Sequence, residues 1–164
     1  MTDTFPALAL ALEPGEPDVM RRPPEDPRAK ILGGATTRAV FGYAILIAGV
    51  TLGAVAWGIT RGGGPAHATT LAFLTLGVSQ VFHLGNARST GPVATRARAV
   101  SNRYAVAGAL LALGLQALAV HWRPLADLLG AAAPSLVDWG VVLGLSLVPA
   151  VVGQLLKGAA VKRA

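Results

Sequence analysis

Four stretches of the chain are almost purely apolar, and they alternate with shorter polar segments. They cover residues 39–60, 65–87, 104–122 and 139–156. Each is close to the roughly 20 residues that a helix needs to cross the hydrocarbon of a bilayer. None has the single polar face that is typical of a helix in a soluble protein. The pattern predicts an all-α membrane protein, with a bundle of four transmembrane helices within residues 39–164.

The first twelve residues are also apolar, but they carry one carboxylate, Asp3. Pro6 has no N–H, so in a helix it would leave the carbonyl of Thr2 without its usual partner. Inside a membrane, a free carbonyl beside a carboxylate must face protein, water or an ion. Residues 1–12 are therefore either the end of a fifth membrane helix that carries half of a cation site, or an ordinary helix start with an acid in its first turn.

The composition supports the membrane assignment. Hydrophobic residues make up 53% of the 164 residues, and only 13% are charged. There is no cysteine, which excludes a disulfide framework, a thiolate metal site and a thiol nucleophile. The N-terminus lacks the basic start of a signal peptide and has Asp3 instead.

The positive charges predict the topology. Of the 14 Lys and Arg residues, twelve fall within the segments 21–38, 88–103 and 157–163, whereas Arg61 and Arg123 lie in the alternate loops. The excess of cations in cytoplasmic loops predicts a multi-pass protein of the plasma (inner) membrane with a cytoplasmic C-terminus. The opposite, outer ends of the spans carry all three tryptophans: Trp57, Trp122 and Trp139. Basic loops beside lipid headgroups require no nucleic-acid partner.

The loops between the spans differ in character. Residues 13–38 form a polar connector whose many prolines disfavour a helix. Residues 61–65 contain three consecutive glycines and predict a short turn on the outer side. The outer loop 123–138 has room for a short interfacial helix.

An ordered set of motifs at the start of the chain resembles P-type cation-transporting ATPases, most closely the calcium-pump-like branch. In that family the sixth transmembrane helix carries an N-x-x-T-D-x-x-P motif, and the cytoplasmic loop after it contains M-x-R-P-P-R-x-P. The matching residues here are Thr2, Asp3, Pro6, Met20, Arg22, Pro23, Pro24 and Pro27. The asparagine of the first motif would fall before Met1. The resemblance covers the whole chain and is strongest over residues 2–31.

The resemblance implies a domain organisation and an ion site. Residues 1–12 would be the end of the sixth helix, 13–38 the cytoplasmic loop, and 39–164 the last four transmembrane helices. Thr2 and Asp3 would be ligands of the transported cation, with Ca²⁺ as the first candidate. The partners would be membrane lipid and the remaining domains of the pump.

Gln80 is a weaker candidate ligand, also implied by the resemblance. It occupies the eighth-helix position at which some calcium pumps carry a glutamate. An amide oxygen is a weaker ligand for a hard dication than a carboxylate. This favours either a single calcium-like site or no ligand from this helix. Thr69, Phe73 and Leu76 continue the same helix face outward.

The motifs that such a pump needs for catalysis are absent from this chain. It contains neither the D-K-T-G phosphorylation loop nor the T-G-E-S loop. We therefore expect a truncated pump without ATPase activity of its own, with no catalytic or cofactor-binding residues, and with Mg-ATP bound only by the intact pump. The alternative is a free-standing four-span accessory protein or small transporter. A small proton-coupled exporter is disfavoured, because none of the four stretches contains an acid.

The other polar residues inside the spans are expected to join helices to one another. His83 and Asn86 in the second span and Gln116 in the third are expected to hydrogen-bond to neighbouring helices. Pro149 is expected to kink the fourth span. Two pairs of glycines are expected to allow close helix packing: Gly49 with Gly53, and Gly140 with Gly144.

Overall fold

The fold is seen in a computed structural model that describes residues 33–87 and 102–161, together with Leu8, Ala11, Leu12 and Met20. Every regular element in these residues is a helix, which confirms the predicted all-α class. The helices are α1 (Gly34–Thr60), α2 (Gly64–Ala87), α3 (Arg103–His121), α4 (Arg123–Leu129) and α5 (Leu136–Val161). Thr2 and Asp3, nearly all of the predicted segment 1–12, and most of the predicted loop 13–38 lie outside the described residues.

Three of these helices are long and apolar enough to cross a membrane by their length and composition. The stretches are Thr36–Thr60 in α1, Arg103–His121 in α3 and Leu136–Gly158 in α5. Helix α2 has 24 residues, or about 36 Å at 1.5 Å per residue, but polar side chains occur along its whole length. The chain is therefore a multi-pass helical membrane protein. The second predicted span, α2, has the length of a transmembrane helix but not the apolar composition.

Helix α2 can carry polar side chains because neighbouring helices cover much of its surface. It packs against α1 and α5, which also contact each other. The apolar core between the helices consists of Ala54, Leu71, Leu74, Val78, Val120 and Val142. Thr75 and Ser79 of α2 are completely buried beside this core. A polar side chain in this position faces protein rather than lipid, so α2 needs less apolar surface than α1 or α5.

Helix α3 lies on another side of α2, and α4 follows it after a sharp bend at Trp122. The side chain of Asn102 caps α3, because its Oδ1 accepts hydrogen bonds from the backbone N–H groups of Tyr104 and Ala105. Helix α4 confirms that the 123–138 loop contains a short helix.

The prediction that Gln116 hydrogen-bonds to a neighbouring helix was wrong for the described residues. The side chain is buried in α3, yet neither its Oε1 nor its Nε2 has a hydrogen-bond partner there. Instead, the amide packs directly on Gly77 of α2, where a Cβ atom would collide with it. Gln116 therefore fills space between two helices rather than linking them by a hydrogen bond.

The turn between α1 and α2 agrees with the sequence. Arg61 and Gly62 form a turn, and Gly62 and Gly64 both have a φ of 72°, in the left-handed region that favours glycine. This tight connection brings α2 back along α1 and places Ala68 directly against Gly58. A Cβ atom on Gly58 would lie 2.8 Å from the Cα of Ala68.

The predicted glycine pairs are not the sites of close packing in the described residues. The Cβ positions of Gly49, Gly140 and Gly144 have no other atom within 4 Å, and that of Gly53 is 3.8 Å from the side chain of Leu145. The close contacts between helices are at Gly58, at Gly77 and at Gly153, which faces Asn86 and Tyr43. Helix α5 is continuous through the buried Pro149.

We predict that Gly58→Ala destabilises the chain by about 1–3 kcal/mol, the usual range for overpacking. The added methyl group would meet the backbone of Ala68, which cannot move without separating α1 from α2. Gly49→Ala in the same helix is the control, because its Cβ position is open. It should be neutral or gain up to about 1 kcal/mol from helix propensity. Thermal unfolding of the purified chain in detergent measures both, and equal melting temperatures would contradict the packing described here.

Candidate functional site

Gln80 lies on the face of α2 that its neighbours leave most open. Thr69, Phe73 and Leu76, which share this face, are exposed, and Gln80 is half-buried. Phe73 is 41% and Leu76 43% exposed, whereas Thr75 and Ser79 on the opposite side are completely buried. The open face of α2 is therefore available to an element other than the described helices.

The other two candidate ligands, Thr2 and Asp3, lie outside the described residues, so their distance from Gln80 is not defined. Among the described residues there is no group of three or more His, Cys, Asp or Glu side chains that could hold a metal ion. Within this part of the chain, Gln80 is thus a single candidate ligand on an open helix face.

A buried carboxylate, which the sequence did not single out, joins three helices at the end of the bundle that carries the tryptophans. Asp138, near the start of α5, is 5% exposed. Its Oδ1 accepts a hydrogen bond from Nε1 of Trp57 in α1 at 3.1 Å. Its Oδ2 lies 3.4 Å from Nε2 of His67 in α2. We refer to Trp57, His67, Ser135 and Asp138 as the Asp138 cluster.

The Asp138 cluster also caps α5. The backbone N–H and the hydroxyl of Ser135 both donate to Oδ2 of Asp138, at 2.9 and 2.7 Å. In return, the backbone N–H of Asp138 donates to the Ser135 hydroxyl at 3.2 Å. This is the reciprocal arrangement of a capping box, with Asp in place of the usual Glu or Gln. The S-x-x-D spacing just before an apolar stretch was the sequence signal for it.

Two further contacts stabilise the tryptophan end. The guanidinium of Arg61 lies over the Trp57 ring, 4.8 Å from its centroid. Nε1 of Trp139 in α5 donates to Nε2 of His121 in α3 at 3.2 Å. All three tryptophans lie at this end of the bundle, as the sequence predicted, and two of them form hydrogen bonds between helices.

At the opposite end, α2 is attached to α5 through Asn86. Its Nδ2 donates to the carbonyl of Ala150 at 3.1 Å, and its Oδ1 accepts a hydrogen bond from Nε2 of Gln154. Nζ of Lys157 donates to the backbone carbonyl of Asn86. The prediction that Asn86 bonds to a neighbouring helix is confirmed.

His83 connects this group to α1. Its Nδ1 lies 3.3 Å from Nδ2 of Asn86, and its ring packs on Tyr43 with the centroids 4.3 Å apart. The Tyr43 hydroxyl and the Asn86 amide both approach Gly153, where a Cβ atom would collide with them. We refer to Tyr43, His83, Asn86, Gln154 and Lys157 as the Asn86 cluster.

The two clusters have the chemistry of structural links rather than of a reaction centre. The Asp138 cluster attaches α5 to α1 through a hydrogen bond from Trp57 and to α2 through the contact with His67. The Asn86 cluster attaches α5 to α2 through hydrogen bonds of Asn86, and the ring of His83 packs on Tyr43 of α1. The polar groups of α2 that point in the other direction, Gln80 among them, remain on the open face. The described residues thus form a support for α2 that leaves one of its faces free.

Comparison with known proteins identifies the family of the chain. A family model described as "Cation transporting ATPase, C-terminus" matches residues 1–159. Among the curated relatives, the chain is 32% identical to Calcium-transporting ATPase 1 of Bacillus cereus over 96% of its length. It is 31% identical to a calcium-transporting ATPase of Listeria monocytogenes over 96% of its length. It is 30% identical to the calcium-transporting ATPase of Bacillus subtilis over 91% of its length.

The matched region is the C-terminal membrane region of a cation pump. The chain belongs to the cation-transporting ATPase C-terminus family, which confirms the resemblance found in the sequence. It spans 17–19% of the length of the three relatives named above. The chain therefore corresponds to one segment of each of these relatives.

We predict that Asp138→Asn destabilises the chain by about 1.5–3 kcal/mol, the usual worth of hydrogen bonds to a charged group. The neutral amide would lose the charge that faces His67, and it would weaken the contacts to Trp57 and Ser135. Asp127→Asn is the matched control, since Asp127 is exposed on α4. Unfolding in detergent, followed by Trp fluorescence, measures both variants. An effect of Asp127→Asn as large as that of Asp138→Asn would refute the role of the cluster.

Proposed function

We propose that this chain is the part of a calcium-transporting P-type ATPase that supports, and partly forms, its ion-binding site. The observation that carries the proposal is the family match over residues 1–159, because that range includes Thr2 and Asp3, the helices α1 to α4 and all but the end of α5. The names of the relatives favour Ca²⁺ as the transported ion. Phosphorylation by Mg-ATP would occur in the other domains of the pump, and this chain alone would hydrolyse nothing.

In the proposed site, Thr2 and Asp3 supply oxygen ligands from the end of the sixth helix, next to the carbonyl that Pro6 releases. Carboxylate, hydroxyl and carbonyl oxygens are the ligands that Ca²⁺ prefers. Gln80 adds at most one neutral oxygen from α2. The open face of α2 supports this role, since a ligand on that face can meet a helix from the other half of the pump.

The proposed topology has four transmembrane helices, with α2 as the second. The Lys157 end faces the cytoplasm and the tryptophan end faces outward. The support is the distribution of Lys and Arg and the length of α2. Helices α1 and α5 bury polar side chains of α2, which therefore do not have to face lipid.

A free-standing four-span accessory protein or small transporter remains the alternative function. It would have to work without the remaining domains of a pump. A stable, specific oligomer of the isolated chain that conducts ions in liposomes would favour it. The sequence upstream in the genome separates the two: an open reading frame that encodes D-K-T-G favours the pump.

We predict that Asp3→Asn in the complete pump reduces cation-stimulated phosphorylation to background, because the site loses its charged ligand. Gln80→Ala should have a milder effect, about a tenfold rise in the cation concentration needed, comparable to the loss of a secondary contact at a metal site. Asp18→Asn in the Pro-rich connector is the control and should behave as wild type. Formation of the phosphoenzyme from radiolabelled ATP, titrated with Ca²⁺, measures all three. Full phosphorylation of Asp3→Asn would disprove its assignment as a ligand.

We also predict the outcome of single-cysteine labelling, for which the natural chain is suited because it contains no cysteine. Arg61→Cys should react with a membrane-impermeant maleimide in intact cells. Arg28→Cys and Arg96→Cys should react only after the membrane is permeabilised. Labelling of positions 61 and 96 from the same side would mean that α2 does not cross the membrane. Labelling of position 28 from outside would reverse the proposed orientation.

A further inference from the structure

A groove runs between α1 and α5 beside the Asn86 cluster. Its volume is about 570 Å³, within the range of roughly 300–1,000 Å³ that is usual for ligand sites. Its walls are apolar and include Ile45, which is 72% exposed, and Leu156, which is 62% exposed. Gly42 keeps it open on the α1 side, because no other atom lies within 4 Å of its Cβ position.

Two cations line the same groove, one from each helix. Arg38 is exposed in the first turns of α1, and its Nε donates to the carbonyl of Gly34 at 3.2 Å. Lys157 extends from α5, and its Nζ donates to the carbonyl of Asn86. These contacts hold both charges beside the groove, and guanidinium and ammonium groups each carry several N–H donors.

We propose that this groove binds one anionic phospholipid, with an acyl chain along the apolar walls and the phosphate headgroup beside Arg38 and Lys157. Charge complementarity supports this occupant. A basic pocket between transmembrane helices on the cytoplasmic side is a typical site for anionic headgroups. A zwitterionic lipid has the same phosphate, but its headgroup cation is repelled by Arg38 and Lys157, and a free anion gains nothing from the apolar walls.

The site is distinct from the proposed ion ligands. Gln80 belongs to the open face of α2, whereas the groove is lined by α1 and α5. Binding is measured without ion transport or ATP, so failure of one proposal leaves the other untouched. A bound lipid would contact both α1 and α5 on their exposed side. The Asn86 cluster, which connects these two helices through α2, lies next to it.

The test is a binding titration with phosphatidylglycerol, followed by native mass spectrometry of the purified, delipidated full chain. Phosphatidylcholine and inorganic phosphate are the comparison ligands. We expect phosphatidylglycerol to bind preferentially and Arg38→Gln to weaken it about fivefold, the effect of one cation beside an anionic headgroup. Arg123→Gln, which removes one charge at the other end of the bundle, should bind as wild type does.

A second variant tests the apolar part of the groove with both cations in place. Gly42→Leu should fill the groove and weaken phosphatidylglycerol binding, whereas Gly49→Leu adds the same side chain at an open position of α1 outside it. Equal binding of the two phospholipids, displacement of the lipid by inorganic phosphate alone, or unchanged binding in both groove variants would overturn the proposal. So would a complete pump that fails to bind phosphatidylglycerol, because another helix would then cover the groove.

Discussion

A polar helix can lie among apolar ones in a membrane only if its polar groups meet protein rather than lipid, and the whole arrangement of this chain follows from that constraint. Helix α2 carries hydroxyl, amide and imidazole groups from one end to the other. Helices α1 and α5 cover it, the close approach of Gly58 to Ala68 brings α1 against it, and the Asp138 and Asn86 clusters attach it at both ends. In an isolated α2, His67 and Asn86 would lack their contacts with α5, and an unsatisfied polar group in hydrocarbon costs several kcal/mol.

This arrangement gives the proposed pump segment a simple mechanical role. A cation ligand must stay in place while the ion binds and leaves, so the helix that presents it needs a firm attachment elsewhere. Helices α1 and α5 provide that attachment on one side of α2, and Gln80 lies on a different face of the same helix. The contacts that hold α2 in place and the proposed ligand Gln80 therefore lie on different faces of one helix.

Much of the fold could be predicted from the sequence, because apolar length and loop charge are local properties. Helix α2 shows the limit of prediction from local properties. Its polar side chains are buried by helices such as α5 that lie far from it in the sequence. Asp138 was overlooked for the same reason: its capping box is visible as S-x-x-D, but its contacts with Trp57 and His67 depend on tertiary packing. Gln116 was expected to form a hydrogen bond, yet it occupies the space that Gly77 leaves.

The candidate site was predicted from motifs rather than from physical pattern, and of its three residues Gln80 lies among the described ones. Gln80 is on an open face of α2, and its role as a ligand stays a prediction. Glycine spacing was a poor guide to packing, because Gly49 and Gly140 meet nothing among the described residues. Such pairs permit close approach but do not identify the helix that approaches.

The two clusters also have a consequence for the synthesis of the chain. Trp57 and Asp138 are 81 residues apart, and Asn86 and Ala150 are 64 apart. A ribosome therefore delivers α1 and α2 to the membrane well before α5 emerges. Until then Asn86 lacks its α5 partners, and the Trp57 indole lacks its carboxylate. The polar contacts that attach α2 at both ends therefore form only after α5 has entered the membrane.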